Sequence, residues 1–345
     1  MFSLLSSRQL SFHETLLHCF VVKCNLRHFF GVLMKQSLMP SRRLLPTLTV
    51  LVYLAFALFA GMAQNARPSQ DDPLPADPAE FVRTTVNNEL NALDNDHSRW
   101  MYRLHREDDK GTQDRQVIET TEGNLSKTVL FNGQPLTEEL RQKDAQRMLE
   151  QVTNPDARER REKREKADAE KVRQLLKGIP DAFLFAYDAT EDGLVRVAFV
   201  PNPKYSPPTR EMTVYHSMKG RMWIDRPAMR LARIEGQLFE DVNFGWGLLG
   251  HLDKGGTFKV IQKDVEHGHW ESVLVDLNIH GRAVIFKTIA VHQRQVFTDF
   301  RRVPDNTTLN QALEMLQHAD SAIAAEPPKG TSAPTDKRAE AKPRR

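Results

Sequence analysis

The stretch that decides the fold begins at residue 183, where the chain reads FLFAYDA (183–189), LVRVAFVPN (194–202) and MTVYHSMKGRMWID (212–225). Apolar and polar residues alternate with a period of two, which is the pattern of β-strands with one buried face. The period continues to residue 303 in MRLARIEGQLFEDVNF, GTFKVIQKDV, WESVLVDLNI, RAVIFKTIAV and RQVFTDFRRV. We predict eight successive antiparallel strands, because turn residues such as Asp192-Gly193 and His280-Gly281 separate the segments.

Elements upstream and downstream extend this pattern. Asp77 can cap a helix whose first residue is Pro78, a charged helical insertion is predicted at 137–177, and a last helix at about 307–324. Three further strands are predicted at 99–107, 114–122 and 125–131. The expected fold class is α+β: a curved antiparallel sheet of about eleven strands, a half-barrel, with helices on its concave side.

The helical insertion contains the mixed-charge run ARERREKREKADAEK at 157–171. Acidic and basic residues alternate there, which favours a solvated helix with i,i+4 ion pairs over a nucleic-acid arm. The chain carries 48 Lys and Arg against 45 Asp and Glu, and much of the excess lies in the leader and the tail. We therefore predict no nucleic-acid partner, since such binding needs a basic stripe on a folded face.

Residues 39–63 have the layout of a cleavable signal peptide. Two arginines at 42–43 precede an uncharged apolar run, and small residues precede Gln64. We expect export to the periplasm or cell envelope. A retained run would be just long enough to span a bilayer, which takes about 20 residues, so a transmembrane helix anchoring the protein in the inner membrane is the alternative.

Chain boundaries follow from the leader and from composition. Met39 looks like the natural start, so residues 1–38 are interpreted as an over-extended N-terminus. We predict a linker at 64–76, a single half-barrel domain at 77–325 and a disordered basic tail at 326–345. Cys19 and Cys24 both lie in the leader, so the remainder has no disulfide and no thiolate site.

Motifs for catalysis, cofactors and metals are weak. Residues 245–250 spell G-x-G-x-x-G, but a dinucleotide site needs a helix after the motif, and a loop and a strand-like segment follow here. His267 and His269 lack further ligands at zinc spacing, and no G-x-S-x-G motif is present. We predict no catalytic residue, no cofactor and no metal site. We interpret Trp246, Leu248 and Leu249 as an apolar rim or lid loop.

A ligand cavity is the functional alternative to a solid core on the predicted sheet. Strict alternation is the same in both cases, but Met and Phe side chains adapt well to an apolar ligand. The candidates for the cavity lining are Phe183, Phe185, Tyr187, Val195, Val197, Phe199, Val214, Met218, Met222, Ile234 and Leu238.

Two adjoining segments, KGRMWID (219–225) and MRLARIEG (229–236), resemble the paired strands of the bacterial outer-membrane lipoprotein-sorting superfamily. That superfamily includes the periplasmic lipoprotein carrier, its outer-membrane receptor and a sensor of envelope stress. GLLGHLDKGGTF (247–258) and FRRVP (300–304) are similar to a group of uncharacterised exported proteins of this type. The resemblance covers roughly 78–320, and implies a half-barrel whose cavity holds the acyl chains of lipoproteins.

The leading functional expectation is a non-enzymatic envelope protein that binds a lipid, a lipoprotein or another apolar ligand. A second hypothesis is a protein-interaction or sensor module, in which the charged helices and the basic tail contact an envelope protein. A third is a hydrolase of unrecognised type. Association with a membrane is expected only if the leader is retained.

Overall fold

The computed structural model describes residues 73–244, 250–283 and 287–323. The described chain contains four α-helices, one 3-10 helix and thirteen strands. The predicted leader (1–38 and 39–63), the rim residues Trp246, Leu248 and Leu249, and the predicted tail (326–345) lie outside the described residues.

The helices alternate with blocks of strands. Helix α1 spans Pro78–Asn95, α2 spans Glu138–Thr153, α3 spans Pro155–Ala182 and α4 spans Leu309–Ile323. The 3-10 helix spans Glu211–Ser217. The strands are β1 (Arg99–Asp108), β2 (Gly111–Ile118), β3 (Leu125–Phe131), β4 (Gln134–Pro135), β5 (Phe183–Glu191), β6 (Leu194–Pro201), β7 (Met218–Asp225), β8 (Arg230–Leu238), β9 (Val242–Phe244), β10 (Gly250–Leu252), β11 (Thr257–Glu266), β12 (His269–Ala283) and β13 (Lys287–Val303).

The strands form one open antiparallel sheet in the order β4-β3-β2-β1-β13-β12-β11-β8-β7-β6-β5. Strands β9 and β10 pair with each other, and β10 also pairs with the far end of β12. The predicted α+β fold with a large antiparallel sheet is confirmed. The sheet has thirteen strands where about eleven were expected, since β4, β9 and β10 are too short to show a period.

Capping residues fix the helix starts. Asp77 accepts a hydrogen bond from the amide of Ala79 at 2.9 Å, and Pro78 occupies the first turn of α1, as predicted. Asn154 ends α2 and caps α3 through the amide of Ala157 at 3.0 Å. The break between the two insertion helices therefore comes from a side chain that satisfies a free helical amide.

Two predicted strands are corrected in part: in MTVYHSMKGRMWID (212–225), the second half forms β7 but the first half does not. MTVYHS (212–217) lies in the 3-10 helix, because the Tyr215 hydroxyl donates to the Leu175 carbonyl at 2.8 Å and this packing outweighs β-propensity. RAVIFKTIAV (282–291) is not one strand, since it contains the end of β12 and the start of β13. No turn occurs at Gly281, which lies inside β12, where a Cβ atom would collide with the His251 carbonyl of β10.

The helices are divided between the two faces of the sheet. Val117 and Ile118 are neighbours in β2, so their side chains point to opposite faces, and they belong to two separate cores. Helices α1 and α3 pack in the core that contains Val117, which covers the concave face. Helices α2 and α4 pack in the smaller core with Ile118 and Leu125.

Helix α2 also covers the open edge of β3. The Asp144 carboxylate accepts from the Thr128 amide at 2.9 Å, and Gln151 donates to the Asn124 carbonyl at 2.6 Å. Arg147, between them on the helix, donates to the Ser126 carbonyl. One turn of a helix rises about 5.4 Å, which is close to the rise of about 6.7 Å of two residues in a strand. Side chains on successive turns of α2 therefore reach successive backbone groups along the edge of β3. The insertion thereby protects an edge that would otherwise pair with another chain.

Candidate functional site

An apolar cavity of about 110 Å³ lies between α3 and the strands of the concave face. Helix α3 and the 3-10 helix supply one side of it, and strands β5, β6, β7, β8 and β11 supply the other. The lining residues are Val172, Leu175, Leu176, Ile179, Phe183, Phe199, Glu211, Val214, Tyr215, Met218, Met222, Leu231, Ile234, Phe258 and Val260. Glu211 is the one charged member of this set, so the site is chemically an apolar pocket.

A row of cross-strand partners forms the floor of the cavity. Phe199 of β6 pairs with Gly220 of β7, Gly220 pairs with Gly236 of β8, and Gly236 pairs with Phe258 of β11. A Cβ atom on Gly220 would lie 2.7 Å from Cζ of Phe199, and one on Gly236 would lie 2.7 Å from Cζ of Phe258. The two glycines therefore let two aromatic rings lean inward from either side.

The 3-10 helix is joined to α3 at the mouth of this pocket. Besides its hydrogen bond to α3, Tyr215 contacts Phe183 with ring centroids 5.1 Å apart. Phe183 in turn meets Phe199 edge-on at 4.9 Å. Gly178 of α3 leaves room for Tyr205, which precedes the 3-10 helix, since a Cβ atom on Gly178 would lie 3.1 Å from the Tyr205 hydroxyl. These contacts hold α3 over the floor without filling the space between them.

The structure places six of the eleven candidate lining residues around this cavity. They are Phe183, Phe199, Val214, Met218, Met222 and Ile234. Their role in holding a ligand stays a prediction.

The other five candidates lie elsewhere in the same face. Val195 and Val197 are fully buried in the solid core beside the cavity. Leu238 is also buried away from it. Phe185 and Tyr187 are partly buried, and the Tyr187 hydroxyl donates to the Pro75 carbonyl at 2.9 Å. Whether a residue lines the cavity or packs in the solid core depends on its position along the strand. The alternation of apolar and polar residues does not indicate that position.

Several residues that line the cavity were not predicted from the sequence. Phe258 and Val260 alternate in GTFKVIQKDV, so the period of two could have found them. Val172, Leu175, Leu176 and Ile179 form an apolar stripe with helical spacing, but the sequence does not indicate which strands this stripe packs against. Glu211 and Tyr215 line the cavity because they lie in the 3-10 helix, which the alternating pattern of the sequence did not indicate.

A polar cluster at the other end of the molecule contains a serine, an aspartate and a histidine. Asp96 accepts from the Ser98 hydroxyl at 2.5 Å and contacts Nδ1 of His269 at 2.9 Å. Nε2 of His269 faces Arg302 at 3.1 Å rather than the hydroxyl. The Ser98 hydroxyl oxygen also accepts from the Trp100 indole at 3.2 Å. The cluster joins β1 to β12 and β13.

Histidines and carboxylates do not gather into a metal centre within residues 73–244, 250–283 and 287–323, where no group of three or more possible ligands occurs. His269 is engaged by Asp96, and His267 lies in the turn before β12 with a φ of 47°. His251 contacts Asp253 at 3.0 Å on β10, away from both.

Glu165 is the titratable group whose environment is most unusual. It lies on the charged half of α3 against the β2–β3 turn, where a Cβ atom on Gly123 would be 3.2 Å from its carboxylate oxygens. Burial raises the pKa of Glu165 to about 7, although the positive charge of Arg161 opposes the shift. This carboxyl therefore titrates near neutral pH, and it lies outside the apolar cavity.

Comparisons with models of protein families, with curated proteins and with solved structures give no match. The resemblance to the lipoprotein-sorting superfamily therefore stays a prediction from the sequence. Among the described helices, none combines the length and the apolar character needed to cross a bilayer.

Proposed function

We propose that this protein is a non-enzymatic, exported envelope protein that binds a lipid, the acyl chain of a lipoprotein or another apolar ligand between α3 and the sheet. The observation that carries the proposal is the cavity of about 110 Å³ with its almost wholly apolar lining. Pockets that bind small apolar molecules have this character, and a dry cavity of about 150 Å³ accommodates benzene.

An empty cavity of this size is a free-energy cost that a ligand would relieve. At about 24 cal/mol per Å³ the space corresponds to about 3 kcal/mol of lost packing. A larger chain would have to displace α3, which lines the cavity with four apolar side chains and accepts the hydrogen bond from Tyr215 of the 3-10 helix. Met218 and Met222 in the floor are flexible enough to adjust to different chain shapes.

Binding of a neutral apolar dye such as N-phenyl-1-naphthylamine tests the proposal. We expect saturable fluorescence with the wild-type protein and displacement by decanol. Ile234→Trp introduces a large ring into the cavity and should abolish saturable binding. The matched control is Val200→Trp, which places the same ring on a side chain that is 48% exposed. Equal dye binding by both variants, or none by the wild type, would refute the proposal.

The helical insertion gives less support to the alternative function, a protein-interaction module that acts through the charged helices. Asp144, Arg147 and Gln151 of α2 are used within the chain to cover β3. Leu140 and Leu149 of α2 are exposed, and a pull-down that loses a partner after their joint replacement by serine would favour that alternative.

A further inference from the structure

Polar side chains continue the floor of the cavity across the concave face. Phe258, which lines the cavity, pairs with Leu277 of β12, and Leu277 pairs with Gln293 of β13. Directly paired residues share a face of the sheet, and each strand spacing is about 4.8 Å. The Gln293 backbone therefore lies about 10 Å from that of Phe258, with Leu277 between them.

Within the described residues, the side-chain amide of Gln293 has a hydrogen-bond partner for its oxygen but none for its nitrogen. Its side chain is 4% exposed, and its Oε1 accepts from Arg106 of β1 at 3.3 Å. Its Nε2 is buried without a hydrogen-bond partner among the described residues. Because an unpaired buried donor is unfavourable, this amide points to an acceptor that residues 73–244, 250–283 and 287–323 do not supply.

Arg115 of β2 adds a guanidinium with no carboxylate partner. Its Nε and one terminal nitrogen donate to the neutral Gln113 side chain at 3.1 and 2.6 Å, and it forms no ion pair within the described part of the chain. Burial lowers the pKa of Arg115, and the guanidinium groups of Arg147 and Arg106 lower it further, while the carboxylates of Asp144 and Asp108 partly oppose this shift.

The cluster as a whole has an excess of positive charge. Arg106 is neutralised by Asp108 at 2.9 Å, and Arg147 by Asp144 at 2.8 Å. Three guanidinium groups therefore face two carboxylates, and the unbalanced one is Arg115. An oxyanion would balance this charge and accept from the free donors.

We propose that Arg106, Arg115 and Gln293 form a binding site for an oxyanion, either a carboxylate or a phosphate group. Planar guanidinium groups bind both through paired, charge-assisted hydrogen bonds. The site shares its face with the apolar cavity, so an acidic amphiphile could place its head group here and its chain beside Phe258. That extension rests on the proposed function, whereas binding of a free anion does not.

Isothermal titration calorimetry on the full chain tests this site with three probes: inorganic phosphate, decanoate and decanol. Arg115→Gln removes the guanidinium group, and Gln293→Leu removes the amide while keeping a side chain of similar size. The matched control is Arg103→Gln, which removes a half-exposed guanidinium from the opposite face of β1. Far-UV circular dichroism checks that each variant is folded.

We expect decanoate to bind the wild type at least about tenfold more tightly than decanol, the effect of one charge-assisted hydrogen bond. Arg115→Gln and Gln293→Leu should remove this difference and leave decanol binding unchanged. Phosphate binding that Arg115→Gln abolishes, with decanoate and decanol equal, would also support the site and identify a free anion as its ligand.

Two results would overturn the oxyanion site. One is that phosphate does not bind and decanoate gains nothing over decanol, in which case Gln293 is satisfied by water. The other is that Arg103→Gln weakens anion binding as much as Arg115→Gln. Phosphate binding without any decanol binding would instead refute the apolar site and leave the oxyanion site standing.

Discussion

Replacing Gly236 by alanine should destabilise the protein by distorting the cavity floor. The new Cβ atom would lie 2.7 Å from both Cε1 and Cζ of Phe258 and 2.8 Å from the Lys219 carbonyl oxygen. Overpacking of this kind costs about 1–3 kcal/mol. The Phe258 side chain can move to relieve its part of the clash. The backbone of Lys219 is paired within the sheet, so its movement would cost more free energy.

A double-mutant cycle separates the two parts. Phe258→Leu removes the ring, so Gly236→Ala should cost about 1 kcal/mol less in that background than in the wild type. The assay is equilibrium urea unfolding followed by far-UV circular dichroism.

The control substitution is Gly256→Ala, whose Cβ atom would meet Leu238 at 3.3 Å and nothing closer. We expect it to change the free energy of unfolding by less than about 1 kcal/mol, since Leu238 can adjust its rotamer. The account of the floor would be refuted if Gly236→Ala cost no more than this control, or if the cycle showed no coupling with Phe258.

Three further predictions concern the charged groups. Glu165→Gln should abolish a decline in stability with rising pH. The folded-state pKa of Glu165, about 7, exceeds the ordinary value of 4.5, so the folded state holds an extra proton between these two pH values. It therefore loses stability, at most about 3 kcal/mol, as pH rises through them. Asp144→Ala should cost about 1–3 kcal/mol and promote self-association measured by analytical ultracentrifugation, because the Thr128 amide at the β3 edge loses its acceptor. Glu89→Ala should cost about 3–5 kcal/mol in urea unfolding, since it leaves the Arg230 guanidinium, 2.9 Å from the buried carboxylate, without its partner.

Matched controls make these predictions specific. Glu162→Gln removes an exposed carboxylate from the same helix as Glu165 and should leave the pH dependence intact. Glu139→Ala removes an exposed ion pair of α2 and should change stability by less than about 1 kcal/mol. A flat pH profile for Glu162→Gln as well as for Glu165→Gln would contradict the role of Glu165. A monomeric Asp144→Ala variant of full stability would contradict the role of Asp144 at the β3 edge. An equal loss of stability in Glu89→Ala and Glu139→Ala would contradict the role of the buried ion pair.

The sequence predicted the strands where alternation was long and the turn chemistry strong. Asp192 and Gly193 adopt positive φ values of 52° and 76° between β5 and β6, as their turn preference indicates. The helix start at Pro78 was also predicted, because capping is a local property of a few neighbouring residues.

The remaining features depend on contacts between distant segments. Met212–Ser217 has strand-like residues but forms a 3-10 helix, because Tyr215 reaches a carbonyl forty positions away. Gly281 was interpreted as a turn, whereas it admits the backbone of β10. A glycine required by close approach and a glycine required by a turn look the same in one sequence.

The candidate site shows the same limit. Phe199 and Val197 belong to one alternating strand, yet Phe199 lines the cavity and Val197 lies in the solid core. The difference comes from where α3 crosses the sheet and from the glycines beside Phe199. Arg115 and Gln293 come to lie on one face of the sheet only through the pairing of β2, β1 and β13.

Native mass spectrometry of the protein purified from the envelope of its producing cells shows whether a ligand occupies the space between α3 and the sheet. If α3 and the sheet enclose a ligand site, the wild-type protein should carry an added mass that organic extraction identifies as an acylated or otherwise apolar compound. Ile234→Trp should lack this mass, and Val200→Trp should retain it. An unliganded mass for the wild type, or the same bound compound on Ile234→Trp, would contradict the account.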